Sequence, residues 1–509
     1  MYNTMRITGL ASGIDTEEMI QNLMKAERVK VDRVEQDRQT VLWRQEAYNS
    51  LNKDFANFIL NTRKMFGLTT VSRTGSFLPN SYQNLNWIKK ATSSNESVAT
   101  VSSTGKALDG TYKVKVTQLA EGVSLASGDK IGGSEILTGK ESISFTINGK
   151  VVTVNKTGDK DITMSDVVKA INSIEDIGVR ASYDAGIDRF FLQTTGTGED
   201  AKIKITAEGI GADFIDALNL NVNGVKKGED GKINYSDQGK DAKISFNGAD
   251  NIYSSTNRIT INGITMDLIG TGNFTITVAT DVDAVYEKVE QFVNEYNELV
   301  ERTNKLLGEK EYRDYKPLTS EQKKAMDKGD IELWEEKAKS GILRNDDIIA
   351  RTMLNIRQAL YDNKSEKFDG PFTLITEIGI STEKYARGSA GGKLQIDEQK
   401  LKEAIAKDPE GVMEFLFKES VPEKKDDNGE IIQEGRIGGI VTRVYDNLMT
   451  GMEEIIKKSG TGDDADLYRS VKSNILYDFV TEHSSISILE KDILDYSRKL
   501  EGIISLRGL

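Results

Sequence analysis

Residues 15–65 read DTEEMIQNLMKAERVKVDRVEQDRQTVLWRQEAYNSLNKDFANFILNTRKM, a stretch with neither glycine nor proline. Asp15 can cap a helix here, Glu18 stands three residues on as in a capping box, and Ile14 and Met19 take the hydrophobic-staple positions. In the second half Tyr48, Leu51, Phe55, Phe58, Thr62 and Met65 step by three and four, the spacing of one helical stripe. In the first half Val34 and Val41 keep one line of the heptad, while Asp37 and Arg44 occupy the other. The stretch predicts one long helix whose C-terminal half buries the better seam.

The far end of the chain repeats the pattern. Ile486, Leu489, Ile493, Tyr496, Leu500 and Ile503 form an unbroken a/d series in a last helix expected from about residue 465 to the end. Helix also returns at residue 281, where Val282, Val285, Val289, Phe292, Tyr296, Leu299 and Leu306 keep a heptad that only Thr303 interrupts. Further helices are expected at 346–361 and 397–406, the latter stopped before Pro409. Between the helical ends, residues 67–280 change to Gly, Thr, Asn and β-branched residues in period-two alternation. Residues 142–155 around Asn148-Gly149 and 258–268 around Asn262-Gly263 read as type I′ hairpins. One helical pattern interrupts them at 165–174, with Val167, Val168 and Ile171 on one face.

The expected fold is therefore α+β and multidomain, since one core stops growing at about 250 to 300 residues and this chain has 509. Residues 1–47 with 465–509 would form a coiled-coil stalk from both termini, and 48–74 with 281–464 a helical bundle domain. Residues 75–139 with 232–280 would form a β-rich head domain, and 140–231 a second, outer one. Isolated helices are marginal in water. Six seam positions offer at most roughly 9 to 18 kcal/mol, less than the ordering cost of about 40 residues, so the arms are expected to order on assembly.

Composition removes several function classes. No apolar run is long enough to span a bilayer, and a net charge of −13 with interspersed Lys and Arg disfavours nucleic acid. There is no cysteine, hence no disulfide or thiolate chemistry. Residues 1–13 contain Arg6 but neither an apolar core nor a small-residue cleavage pattern, so no signal peptide is read there.

Candidate chemistry is thin. His483, the one histidine, lies between Glu482 and Ser484 and cannot form a zinc-binding pair or a nucleophile system alone. Asp463, Asp464 and Asp466 lack the spacing of a calcium loop. Asp346-Asp347 and Glu335-Glu336 are expected by chance among 80 acids. Gly196-Thr197-Gly198 and Gly209-Ile210-Gly211 lack the third glycine and the lysine of a nucleotide site. No catalytic residue, cofactor or metal is expected.

Certain short motifs resemble a known family, flagellar hook-associated protein 2, the filament cap. Gly9-Leu10-Ala11-Ser12-Gly13-Ile14-Asp15-Thr16, followed by Leu23-Met24-Lys25-Ala26-Glu27-Arg28, is similar to its N-terminal signature. Residues 142–205, with Thr146-Ile147-Asn148-Gly149, Ala170-Ile171-Asn172 and Val179-Arg180-Ala181-Ser182-Tyr183, resemble the flagellin hook insertion motif, which flagellins share. Residues 241–248, Phe292-Val293-Asn294-Glu295-Tyr296-Asn297, Ile378-Gly379-Ile380 and Gly392-Lys393-Leu394 follow the family in order.

The resemblance implies a secreted, non-enzymatic cap at the distal filament tip that promotes folding and insertion of exported flagellin. It implies a homo-oligomeric ring of about four to six copies, type III export, and flagellin, hook–filament junction proteins and an export chaperone as partners. Phe292 and Tyr296 read as core of the seam; Asn297, an amide beside it, must find a partner or face water. Two departures stand out. Val29-Lys30-Val31 lacks the proline frequent after Glu-Arg in the family, which predicts a straighter first helix, and the chain stops at Leu509, before a further amphipathic segment, as a short variant or a truncation would. The alternative function is a secreted adhesin that binds host glycans or mucin through the β-rich head.

Overall fold

The computed structural model describes residues 16–71, 77–133, 135–220, 224–361, 370–383, 391–421, 423–426, 431–473, 475–476, 480 and 486–505. In chain order the helices are α1 Thr16–Phe66, α2 Met164–Asn172, α3 Gly209–Ala217, α4 Val282–Gly308, α5 Ser320–Lys324 and α6 Lys328–Lys339. They continue with α7 Asp347–Tyr361, α8 Glu398–Lys407, α9 Pro409–Phe417, α10 Ile440–Ser459, α11 Ala465–Val471 and α12 Ile488–Ser505. The chain divides into two compact units, Met1–Leu85 with Val282–Leu509, and Asn86–Asp281.

The first unit is organised along α1, a helix of 51 residues. At about 1.5 Å per residue it runs for about 77 Å. Its C-terminal half is covered by α4, α10 and α11. Phe58 meets Phe292 at 5.8 Å and Tyr445 at 6.4 Å between ring centroids, and Phe66 meets Phe292 at 5.8 Å and Phe417 at 4.6 Å. Helix α7 packs on α10 because Gly451 has no side chain: a Cβ there would lie 2.6 Å from the Thr352 side chain. Arg443, buried on α10, donates to the carbonyls of Gly438 and Ala359, both at 2.8 Å, and so satisfies one of the last open carbonyls of α7.

One helix boundary falls as expected and another does not. Pro409 does follow the end of α8, but it also starts α9, with Asp408 accepting from the Gly411 amide at 2.9 Å. Proline is well suited to the first helical position, where its missing N–H has no intrahelical partner to lose. The helix expected from residue 465 to the end is interrupted. Helix α11 ends at Val471, where Lys472 turns to φ −150° and ψ 118°. Helix α12 begins afresh on a capping box, Ser487 N donating to Glu490 Oε2 at 2.6 Å and Glu490 N to Ser487 Oγ at 3.2 Å.

The second unit holds two separate cores. One is a sandwich whose five-stranded sheet has the order Ala249–Ser254, Ala242–Phe246, Gly110–Gln118, Gly272–Thr280, Lys89–Ser93. Its three-stranded partner is Arg258–Ile261, Ile264–Leu268, Ala99–Ser103, and Val114, Val116, Phe274 and Ile276 fill the core together with Ile264 and Met266. The other core gathers a four-stranded sheet (Ile233–Gln238, Lys202–Ala207, Ser142–Ile147, Lys150–Asn155), a three-stranded sheet (Ser124–Ala126, Arg189–Thr194, Val179–Asp184), α2 and α3. Both hairpins read from Asn-Gly are present, with Asn148 and Gly149 at φ 50° and 78° and Asn262 and Gly263 at 49° and 78°. A third, Asn247-Gly248, joins strands of the five-stranded sheet.

The chain passes between the two cores between Ala120 and Val123 and returns between Gln238 and Ala242. The outward crossing lies well before the expected position near 139, because strand Ser124–Ala126 pairs with Arg189–Thr194, a partner some 65 residues away that local turn chemistry does not reveal. Glu121 and Lys240 exchange backbone hydrogen bonds of 2.8 and 2.9 Å at this neck. A Cβ on Gly239 would stand 2.2 Å from the Glu121 carbonyl oxygen and 2.5 Å from that of Gly198, so glycine is required.

Since its cores and strand partners all lie within residues 86–281, that segment expressed alone is expected to give a dispersed amide spectrum. Leu192→Ala and Met266→Ala, one per core, should each cost about 2–5 kcal/mol in denaturant unfolding. A collapsed spectrum of the segment would contradict its independence.

Candidate assembly surfaces

The two halves of α1 meet different surroundings. In the C-terminal half Tyr48, Leu51, Phe55 and Phe58 are all buried, none more than 6% exposed. The stripe read from their spacing is core, covered from within the chain. Tyr48 donates its hydroxyl to Asp346 Oδ2, while Oδ1 of the same carboxylate accepts the Ile348 and Ile349 amides at 3.1 Å each and caps α7. Burial first, and Asp346 second, hold the Tyr48 phenol well above its ordinary value; burial does the same for Tyr296 and for Tyr445, which donates to Thr62 Oγ1 at 2.7 Å.

The N-terminal half of α1 is partnered by α12, which runs along it, and by the connection between α4 and α7. Arg38 Nε donates to Ser497 Oγ at 2.9 Å, Gln36 Nε2 to the Pro317 carbonyl at 2.8 Å, and Ser320 Oγ to Glu35 Oε1 at 3.1 Å. Arg28 pairs with Glu321, and the Lys339 ammonium lies 5.0 Å from the Trp43 ring centroid. Leu489 is buried at 3% exposure, Ile493, Tyr496, Leu500 and Ile503 are half-buried, and Ile486 is 39% exposed. Met24 and Val29 on α1 and Leu494 on α12 stay exposed.

Of the motif residues, Gly9, Leu10, Ala11, Ser12, Gly13 and Asp15 lie outside the described residues, as does His483. Phe292 and Tyr296 are buried on α4. Asn297, beside them, donates Nδ2 to the Leu394 carbonyl at 2.8 Å and accepts the Leu394 amide at 2.7 Å. Its amide acts as a peptide group and fastens strand Leu394–Ile396 to the helix; Asn304, seven residues on, holds the Gly391 carbonyl at 3.0 Å. Asp464 pairs with Lys53 and Asp466 with Arg469, and Glu335 with Lys323.

Two matches to family models cover most of the chain: the N-terminal region of flagellar hook-associated protein 2 over residues 12–122, and its C-terminal region over 239–503. The chain belongs to the flagellar hook-associated protein 2 family. A family member from Halalkalibacterium halodurans is 31% identical over 90% of this chain and 88% of its own. One from Thermotoga maritima is 29% identical over 69% of this chain and 55% of its own. Among solved structures, the D1-D2-D3 domains of the flagellar cap protein FliD from Escherichia coli align with a TM-score of 0.50 and 19% identity, over 80% of this chain and 95% of that one, a likeness of fold. The motifs at 292–297 and 392–394, which mark the family in sequence, are thus the two sides of the Asn297 clamp.

Two outcomes follow. Asn297→Leu would strand the Leu394 amide and carbonyl at about 1–3 kcal/mol per buried group, and should speed hydrogen exchange at Leu394. The buried phenols have folded values above the unfolded value of about 10, so their contribution is complete below pH ~10 and is lost as pH rises through the folded values. The melting temperature should therefore hold up to about pH 10 and fall as pH rises above it, less steeply in Tyr48→Phe. A flat profile would contradict the burial of these hydroxyls as neutral groups.

Proposed function

We propose that this chain promotes folding and insertion of exported flagellin at the distal tip of the filament and works as a homo-oligomeric ring of about four to six copies. The filament cap role belongs to the family. The observation that carries the further reading is the pairing of the two chain ends, with α12 lying along the N-terminal half of α1 and Met24, Val29 and Leu494 exposed. A paired two-helix arm suits insertion among other helices at a filament end, where knobs of one helix fill holes of its neighbours. Secretion through the flagellar export channel, contacts with hook–filament junction proteins and an export chaperone belong to the same reading. No step of it asks for catalysis: of the carboxylates singled out in sequence, Asp346 caps a helix and Asp464, Asp466 and Glu335 are held in ion pairs.

Charges placed in the arm test it. Leu489→Asp, Ile493→Asp and Tyr496→Asp together put carboxylates on the stripe that faces α1, at several kcal/mol per unpaired buried charge. Cells making this variant should export it, lose it from the tip, release flagellin monomers into the medium and carry short or absent filaments. Filaments of normal length with the variant in place would show that the arm does not anchor the cap.

A further inference from the structure

The outward face of the five-stranded sheet is unusual in its charge. Along Gly110–Gln118, Val114 and Val116 point into the core, so Lys113 and Lys115 point out. Lys243 alternates likewise with buried Ala242 and Ile244, and Lys90 lies in register with exposed Ala279. Around them the same face carries Thr92, Thr117, Ser245, Asn273, Thr275 and Thr277. The four strands 89–93, 110–118, 242–246 and 272–280 contain no Asp or Glu, and Asp250 on the edge strand is the one acid of the sheet. Among the described residues no carboxylate pairs with Lys90, Lys113, Lys115 or Lys243; Lys243 instead lies 5.4 Å from the centroid of exposed Tyr253. Lys113 and Lys115 border a shallow depression of about 430 Å³ with Ser245, Asn273 and Thr275.

This local excess stands against the rest of the molecule. Residues 86–120 with 241–281 carry seven Lys and Arg against six Asp and Glu, in a chain of net charge −13. Two of those seven cations, Lys89 and Arg258, are already paired, with Asp109 and Asp267. Copies of a chain at −13 repel one another, so close assembly needs a surface where an acidic neighbour is attracted. Closed rings are built from heterologous contacts, in which two different patches of the same chain meet. A basic, hydroxyl-rich sheet face is one such patch, and the acidic remainder of the chain supplies the other.

We propose that the outward face of this sheet, centred on Lys113, Lys115 and Lys243, is the receiving half of the subunit contact, and that its occupant is an acidic surface of a second copy of this chain. The inference rests on the ring reading above and adds to it the surface and the sign of the contact. Exposed charges of this kind steer and hold partners through an interaction that salt screens.

Sedimentation of the full chain separates the possibilities. The wild type should self-associate, and raising salt from about 0.05 to 0.5 M, which shortens the screening length roughly threefold, should weaken it. Lys113→Glu, Lys115→Glu and Lys243→Glu together should raise the dissociation constant by about tenfold or more at low salt, with an unchanged circular dichroism spectrum since the side chains are at the surface. The same charge change placed elsewhere, Lys106→Glu, Lys328→Glu and Lys400→Glu, should shift it by less than about threefold. A triple variant that associates as well as the wild type overturns this inference and leaves the ring standing. The same holds if the variant loses only binding to added polyglutamate, since the occupant is then another acidic partner. A wild type that stays monomeric at every concentration contradicts the ring itself, and the contact falls with it.

Discussion

A 51-residue helix cannot hold its apolar stripe in water, and the cover found for α1 governs the first unit. Where the stripe is aromatic, at Tyr48, Phe55, Phe58 and Phe66, the cover is intramolecular and dry, and α4, α10 and α11 take their places from it. Where Asp37 and Arg44 interrupt the stripe, the contacts become polar and lateral, through Gln36, Glu35 and Arg38, and part of the apolar surface stays open. One helix thus belongs to a folded core at one end and to a paired, partly exposed arm at the other. The change of function along it follows the change in what its stripe can bury.

A second device recurs wherever secondary structure must be joined to backbone that has no ladder partner. Asparagine side chains stand in for a peptide group: Asn297 on Leu394, Asn172 on Ala181 (2.9 Å both ways) and Asn257 on Ala120 (2.9 and 2.7 Å). Asn148 holds the carbonyls of Ile177 and Lys202 and accepts from Lys204 in the same way. An amide offers donor and acceptor side by side at nearly peptide spacing, which aspartate or leucine does not. Asn297 falls inside a motif by which the family is recognised, and Asn148 and Asn172 inside the stretch that resembles the hook insertion motif, which gives those motifs a mechanical meaning.

The sequence made the periodic and turn-bounded parts plain. The spans of α1, α4, α7 and α8 and the Asn-Gly hairpins follow from apolar spacing and from residues that tolerate positive φ, all of which are local. What it did not reveal was non-local. Ser124–Ala126 is three residues long and belongs where it does only because Arg189–Thr194 offers an edge. The polar span between α4 and α7 lies against α1 through Pro317, Ser320 and Lys339, positions that no periodicity marks. The last heptads are legible in the sequence, whereas the break before them is signalled only by the capping-box spacing of Ser487 and Glu490. The basic sheet face was hidden for a different reason: its four lysines come from three segments far apart in the chain, and only strand pairing gathers them.

The central claim is that the two chain ends form a paired arm within the subunit, and the absence of native cysteine makes it open to a direct measurement. Spin labels at Asp37→Cys and Arg498→Cys, next to the Arg38–Ser497 contact, report on the pairing of α1 and α12 in the isolated chain. Strong dipolar broadening at a concentration where the chain is monomeric is the expected result. Spectra equal to the sum of the two singly labelled chains would contradict the pairing and return the arms to independent helices.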